Sequence, residues 1–338
     1  MNLELHSNSK IEIWSTLFQH LEQFTDNVSL MFYSDRLYVQ TMDKSHVAVC
    51  EIFLPASWFS VYNVHKSIQG TGKYIAVGVN VAMFTRILKV MSNRTLLGGE
   101  GGNKIRGKEK TVLKMGYEYN SDTLAIGIGI SGMEGEVETK IQDYGFELPL
   151  VFLADELMNI PTDTDYTAEI RLSSEWMAEL VKTLKGFGDT VEIQCSEKEI
   201  AISVSGVEQG MMRVPIATEK LAFFSIEEGA ELDLYVRLKY LHAMSLFHKL
   251  SRQVVMRIEK ERPIQLMYSL EGMAGSGGSV VGSVGAVEDI GKKGEDGGEE
   301  EDGGEEEEEG EEGEGEEEEE EKDPDARLVF YLVQCEEP

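Results

Sequence analysis

In the segment VRLKYLHAMSLFHKL, Lys239, His242, Leu246 and Lys249 follow one another at spacings of three, four and three, and in VNVAMFTRILKVMSN Arg86 and Lys89 stand three apart. Residues three and four apart share a helix face, so each segment could present cations to a phosphate backbone. A third segment, EWMAELVKTLKGFGDTVEIQC, turns out Glu175, Glu179 and Lys182 by the same spacing. For any one of these lysines taken alone, ordinary solvated helix surface is the better explanation. Their joint placement on matching faces is what raises a shared phosphate-facing surface.

Groups that could do covalent or metal chemistry do not converge. His6, His20, His46, His65, His242 and His248 form no HExxH or HxxxH pair, and neither a P-loop nor GxSxG occurs. GEGG and GSGGS share only glycine content with phosphate-binding loops, because neither lies between a strand and a helix with Lys-Ser/Thr following. Cys50, Cys195 and Cys335 are odd in number and lack metal-ligand spacing, which argues against a disulfide framework or zinc site and for a reducing compartment. The expectation is a binding protein, not an enzyme, with no catalytic residue, metal or cofactor.

Positioning the stripes requires helices laid on sheets. Trp14, Leu17, Phe18 and Leu21 recur at helical spacing opposite Ser15, Gln19 and Glu22, and NVSLMFY, LYVQTMD and HVAVCEIFL read as strands, the first two separated by the turn SDR. In the second helix Phe84, Ile87, Leu88 and Met91 are expected inside, with Arg86 and Lys89 outside. The same grammar returns 163 residues later: Met177, Leu180, Val181 and Leu184 replace the first apolar set, Val191 answers Val28, SEKE answers SDR and Ile200 answers Leu37. Agreement in order, spacing and turn position indicates an internal duplication. Each half is then an α+β unit with helices packed on an antiparallel sheet, residues 1–147 and 167–338, joined by a connector at 148–166 that contains Pro149 and Pro161.

The formal charge of −31 is unevenly placed, since Glu288 to Asp325 holds 24 acidic residues against 3 lysines and leaves −10 on the remainder. A mildly acidic remainder still permits a basic face. The run itself has the composition of a disordered segment, yet the apolar ARLVFYLV follows it. PIQLMYSL and ARLVFYLV read as the last two strands, with residues about 272–326 as an enlarged hairpin loop, tolerated because closure entropy grows slowly with length. No window of about 18 apolar residues could span a bilayer, and MNLELHSNSKIEIW lacks the basic and apolar regions of a signal peptide. A cytosolic or nuclear protein without a membrane partner is expected.

Five stretches carry a family resemblance: VQTMDKSHVAVCEIFL, VGVNVAMFTRILKVMSN, EWMAELVKTLKGFGDTVEIQC, LKYLHAMSLFHKLSRQVVMRIEKERPIQL and the terminal LVFYLV. In order, and across both halves, they resemble proliferating cell nuclear antigen, the eukaryotic DNA sliding clamp. The resemblance implies the DNA clamp fold and a homotrimeric ring closed head to tail around double-stranded DNA, with helices lining the hole and sheets outside. It implies a polymerase processivity factor and docking platform, whose partners are a DNA polymerase, a clamp loader and peptide-motif-bearing replication and repair proteins. The implied location is the nucleus, or the site of viral DNA replication if the source is a large DNA virus.

The DNA-facing residues are then expected to be Arg86, Lys89, Lys182, Lys239, His242 and Lys249. Carried over by position, the partner pocket would use Met42, His46 and Val47, Met158, Ile160 and Pro161 from the connector, Pro263, and Tyr331 with Val333. Core packing is an equal explanation for Met158 and Ile160 alone. Subunit contacts would fall around Glu136 to Asp143 and Met211 to Ile216, with Val137, Ile141, Met212 and Val214 as apolar candidates.

Departures from the family pattern carry their own expectations. Ser15, Thr16 and Glu22 stand where lysines are common, so the first helix should contribute little to DNA contact, and Glu179 replaces an arginine while Lys182 keeps the charge. Val333-Gln334 replaces Ala-Pro, which bears on partner choice. Residues 94–110 are extra, with Arg94, Lys104, Arg106, Lys108 and Lys110 against Glu100 and Glu109; they read as a surface loop or as a basic arm reaching DNA at the rim. The rival readings are an accessory or checkpoint-type clamp subunit in a heterotrimer, and an acidic chaperone-like protein acting through its glutamate run.

Overall fold

Strict alternation of buried and half-buried side chains builds the strands, as Leu37 and Val39 in one and Cys50, Ile52 and Leu54 in the next show. The computed structural model describes residues 1–64, 74–92, 110–134, 137–153, 157–160, 165–206, 210–271 and 325–336. Side chains at 91–92, 110, 131–134 and 137–142 are outside that description. Every described residue belongs to one compact unit, made from Met1–Ala274 and Pro324–Pro338. The expected loop at 272–326 and the insertion residues 94–109 therefore lie outside the described residues, apart from Asp325 and Ala326.

The first half runs β1 (Asn2–Leu5), α1 (Asn8–Leu21), β2 (Asn27–Phe32), β3 (Arg36–Met42), β4 (Ala48–Pro55), β5 (Val61–Asn63), β6 (Ile75–Asn80), α2 (Val81–Ser92), β7 (Lys110–Gly116), β8 (Thr123–Glu134) and β9 (Val137–Pro149). The second runs β10 (Ala168–Ser173), α3 (Ser174–Leu184), β11 (Thr190–Ser196), β12 (Ile200–Gly206), β13 (Gly210–Ile216), β14 (Phe223–Ile226), β15 (Glu231–Arg237), α4 (Leu238–Ser245), β16 (Gln253–Ile258), β17 (Ile264–Ser269) and β18 (Arg327–Leu332). The order of elements is the same in both, so the duplication read from sequence is present in the fold. The starts of α1, α2 and α3 share a device as well, which α4 lacks. Ser7 Oγ accepts from Lys10 N at 3.5 Å, Ser173 Oγ from Trp176 N at 3.3 Å, and Asn80 Oδ1 from Met83 N at 3.0 Å.

The strands form three sheets, of order β5-β1-β7-β8-β9, β13-β12-β11-β15, and a nine-stranded β14-β10-β16-β17-β18-β4-β3-β2-β6 that crosses from one half to the other. β18 makes the crossing. It pairs antiparallel with β17, from Ile264↔Leu332 to Ser269↔Arg327, and on its other edge with β4, with Phe330 opposite Cys50. Phe330 is fully buried, its ring 5.6 Å from Phe24 of the first half and 5.1 Å and 6.5 Å from Phe247 and Tyr268 of the second.

The connector leaves β9 along the edge of β6. Leu150 bridges Val79, and Val151 N donates to Gly78 O at 2.9 Å. A Cβ at Gly78 would lie 2.0 Å from Val151 O, so only glycine admits this approach. The second half repeats the arrangement, with Cys335 after β18 bridging Tyr235 of β15 through a 2.8 Å hydrogen bond.

α4 is shorter than its apolar spacing suggests. It stops at Ser245, and a tighter 3-10 turn continues from Leu246 to Leu250. Ser245 Oγ donates to His242 O at 2.8 Å, and Ser174 Oγ donates to His248 O at 3.0 Å and also to Ser251 O, capping the carbonyls that a longer helix would use. This turn packs on α1 across the join, where the His20 ring meets Phe247 at 5.5 Å.

Two predictions follow from the join. Phe330→Ala removes the ring that both halves share and should cost about 3–5 kcal/mol of unfolding free energy by urea titration; a loss below about 1 kcal/mol would contradict the packing. His20 Nδ1 is buried without a partner among the described residues, and burial, then Lys249 and His248, lower its pKa from 6.5 to about 4. Because the folded value is depressed, the unfolded chain takes the proton first. The stabilisation is complete above pH 6.5 and is lost as pH falls towards about 4. Between neutral pH and about pH 4.5, wild type should lose more stability than His20→Gln, and equal losses would contradict the assignment.

Candidate DNA-facing and partner-docking sites

The helix stripes sit largely as their spacing requires. Phe84 and Leu88 face the core with Ile87 half-buried, Arg86 and Lys89 are exposed on α2, and Glu175, Glu179 and Lys182 are exposed on α3. Met91 lies among the undescribed side chains. Lys239 and Lys249 are exposed, the first on α4 with its ammonium 4.6 Å from the Tyr240 ring centroid, the second on the 3-10 turn. Among the described residues, Arg86, Lys89, Lys182, Lys239 and Lys249 form no ion pair. On α1, Glu12, Ser15, Thr16 and Gln19 supply no cation, and the half-buried Lys10 donates its ammonium to Trp58 O at 2.7 Å.

His242 differs from the lysines beside it. It is half-buried, its Nδ1 has no partner among the described residues, and burial, then the nearby Lys185 charge, lower its pKa. It serves this face as a neutral ring and not as a cation. Lys185, exposed at the C-cap of α3, belongs with the cations and was missed. Its signal was present, since it follows Lys182 by three.

The proposed docking residues come from separate elements that β18 draws together. At the turn from β3 to β4, the buried Asp43 carboxylate accepts from Ser45 N, Val47 N and Ala48 N, each at 2.7 Å. That closure holds exposed His46 at φ 59° and presents Val47 beside Met42. Val333 N then donates to Val47 O at 3.1 Å, joining the end of β18 to the turn. Gln334 Nε2 donates to Glu259 O at 2.8 Å and Arg262 O at 2.6 Å, which brings in the turn carrying exposed Pro263. Val333 is 50% exposed and Tyr331 half-buried on this seam.

The connector reaches the same sheet face through Gln40, whose amide brackets the Met158 backbone. Nε2 donates to Met158 O at 3.0 Å, and Oε1 accepts from Met158 N at 2.7 Å. Met158 and Ile160 are half-buried, and Pro161 lies outside the described residues. Asp43 and Gln40, which shape the seam without contributing apolar surface, were not singled out from sequence although both lie within VQTMDKSHV. An open trough of about 660 Å³ over Lys114, Gly116, Gly127 and Gly145 is separate from these residues.

The subunit-contact candidates lie on sheet edges. β9 ends the five-stranded sheet and β13 the four-stranded one. Met212 and Val214 are half-buried opposite Val204 and Ile202, with Met211 64% exposed between the chain's own core and solvent. Val137 and Ile141 lie in β9, with side chains outside the description. The ladder to β8 jumps from Ile130↔Gln142 to Ser131↔Lys140, so Ile141 is the extra residue of a bulge, and the strict alternation that would place it with Val137 is broken there.

Residues 159–276 match the family model for the C-terminal domain of proliferating cell nuclear antigen. Among solved structures, a PCNA2-PCNA3 complex from Sulfolobus tokodaii contains a chain similar to this one at 18% identity and a TM-score of 0.62, with 99% of each chain covered. At that identity the likeness is one of fold, and it extends over both halves. Residues 159–276 thus carry the C-terminal domain of the proliferating cell nuclear antigen family, and the chain as a whole has the fold of the similar clamp chain.

Proposed function

We propose that this chain is a DNA sliding clamp: a ring around duplex DNA that serves as a polymerase processivity factor and as a docking platform, and catalyses nothing itself. The observation that carries the reading is the repeated sheet junction. Within the chain, the last strand of the second half, β18, pairs with β4 of the first. Their counterparts in the repeat are β9 and β13, which among the described residues pair with β8 and β12 alone. We read the five-stranded and four-stranded sheets as two pieces of a second nine-stranded sheet, which β9 of one copy meeting β13 of the next would complete. Such a contact joins different surfaces head to tail, and a ring closes it.

The register supports specific partners. Ile202↔Val214 and Val204↔Met212 answer Val39↔Ile52 and Thr41↔Cys50, so Val214 and Met212 stand where Ile52 and Cys50 receive Leu328 and Phe330. On the other strand, Leu124↔Leu148 answers Ile264↔Leu332, which puts Tyr144 and Phe146 in the places of Leu328 and Phe330. Tyr144 and Phe146 are half-buried in the single chain, with rings stacked at 6.4 Å. The proposed junction therefore uses Met212 and Val214 with Tyr144 and Phe146, and Val137 and Ile141 lie beyond its end.

The helix face fits the same reading. A ring held on DNA by topology needs only weak, nonspecific phosphate contacts, and a few cations facing duplex DNA supply them while permitting sliding. The seam of Met42, His46, Val47, Pro263, Tyr331 and Val333 beneath the connector would take a short apolar helical turn and an extended flank from polymerase, clamp loader or repair partners. Such a role places the chain where DNA is replicated, which we propose is the nucleus or a viral replication site.

A heteromeric ring is the second reading, favoured by one observation: the similar solved structure is a complex of two different clamp chains. Native mass spectrometry separates the two. The purified chain should give three copies, and Val214→Asp should shift it to monomers by placing a charge in the junction at a cost of about 2–5 kcal/mol. A wild-type monomer at micromolar concentration that assembles only when a second clamp chain is added would replace the homotrimer by the heteromer.

A further inference from the structure

Beneath the connector, the outer face of the nine-stranded sheet carries a line of polar side chains centred on Glu51. Tyr38 Oη donates to Glu51 Oε1, Gln40 Nε2 approaches the same oxygen at 3.2 Å, and Tyr331 Oη donates to Oε2 at 2.9 Å. Gln40 Nε2 also lies 3.1 Å from Tyr38 Oη, and Gln265 Nε2 donates to Tyr331 Oη at 3.4 Å. Burial, followed by hydrogen bonding to the Glu51 carboxylate, raises the Tyr38 phenol's pKa, consistent with a phenol that keeps its proton to donate.

The donor and acceptor count decides how Gln40 must point. A carboxylate only accepts, so the side of Gln40 that faces Glu51 has to be its NH2 group. One N–H is then left for Met158 O and the carbonyl for Met158 N, which is the arrangement present. Turning the amide over would set its carbonyl against the carboxylate and its N–H against the Met158 N–H, leaving both connector groups unpaired.

We propose that Glu51 is a positioning residue: its carboxylate fixes the orientation of the Gln40 amide and thereby holds the connector in register at Met158, forming one wall of the docking seam. A neutral amide at position 51 can donate as well as accept, so it tolerates either orientation of Gln40 and no longer enforces the register. The consequence for partner binding rests on the docking role proposed above. The consequence for the connector does not.

Amide hydrogen exchange on the full chain tests it, with two substitutions that separate charge from size. In Glu51→Gln, which keeps the shape and removes the charge, exchange at the Met158 amide should accelerate by about tenfold or more. In Glu51→Asp, which keeps the charge and loses a methylene, Met158 should stay closer to wild type. Slow exchange at Cys50 and Ile52 reports that β4 is intact in each variant. Unchanged Met158 exchange in Glu51→Gln overturns the proposal, as does faster exchange in Glu51→Asp than in Glu51→Gln, because a residue that only fills space gives that order. A fluorescent peptide of the clamp-binding type provides the second arm and should bind Glu51→Gln about fivefold more weakly. If Met158 loosens while the peptide binds equally, or binds no form, the positioning role stands and the docking reading fails.

Discussion

The ladder between β18 and β4 is the contact on which the rest of the molecule depends. It turns two repeats into one sheet, places Phe330 among rings from both halves, and carries Tyr331 and Val333 to the turn that holds His46 and Val47. A strand in this position has satisfied backbone groups on both edges, and its apolar face is buried from Leu328 to Leu332 apart from Tyr331. The long acidic stretch that precedes it in sequence is compatible with this because the entropy of closing a loop rises only with the logarithm of its length. The repeat places β9 and β13 at the corresponding positions, where among the described residues each is paired along one edge, with β8 and β12.

Charge is divided in a way that serves the proposed role. Most of the negative charge is confined to Glu288 to Asp325, while the helix faces carry Arg86, Lys89, Lys182, Lys185, Lys239 and Lys249 without ion-pair partners among the described residues. The acidic residues on the helices, Glu12, Glu175 and Glu179, dilute that field and keep it modest. On the opposite side of the nine-stranded sheet the ionic groups are tied to one another. Glu169 accepts from Arg171 and Arg257 at 2.7 Å and 2.8 Å; burial pushes its pKa up, but the two guanidinium groups outweigh burial and hold it below its ordinary value. The helix face keeps its cations free of ion pairs among the described residues, and the other face commits its charges to internal order.

Much of this was legible in the residues. Helical spacing placed Phe84, Leu88, Met177 and Leu180 inward and Arg86, Lys89 and Lys182 outward, because one buried stripe per helix is a local constraint. The duplication was legible because the apolar positions of α1 and α3 align without a gap. The partner of β18 was not, since nothing in ARLVFYLV distinguishes pairing with β17 alone from pairing with β4 as well. His242 was read as a cation because spacing reports a face and says nothing of the burial that keeps the ring neutral. The bulge at Ile141 and the change to a 3-10 turn at Leu246 depend on hydrogen bonds to distant residues. Glu51 and Gln40 lie in a stretch that carries the resemblance, but their pairing was not legible, as a polar residue on an outward strand face is unremarkable until its cross-strand neighbours are known.

The central claim is that the junction inside the chain is repeated between chains, and heterologous disulfide trapping tests it most directly. Chains carrying Met212→Cys are mixed with chains carrying Phe146→Cys and oxidised, all with the half-buried Cys335 replaced by serine, and chains carrying only that replacement, whose Cys50 and Cys195 are buried, are the control. The account predicts cross-links between the two kinds of chain, none within either kind alone, and a closed product when both substitutions are placed in one chain. Cross-links from Met212→Cys to itself, or none in the mixture, would contradict it.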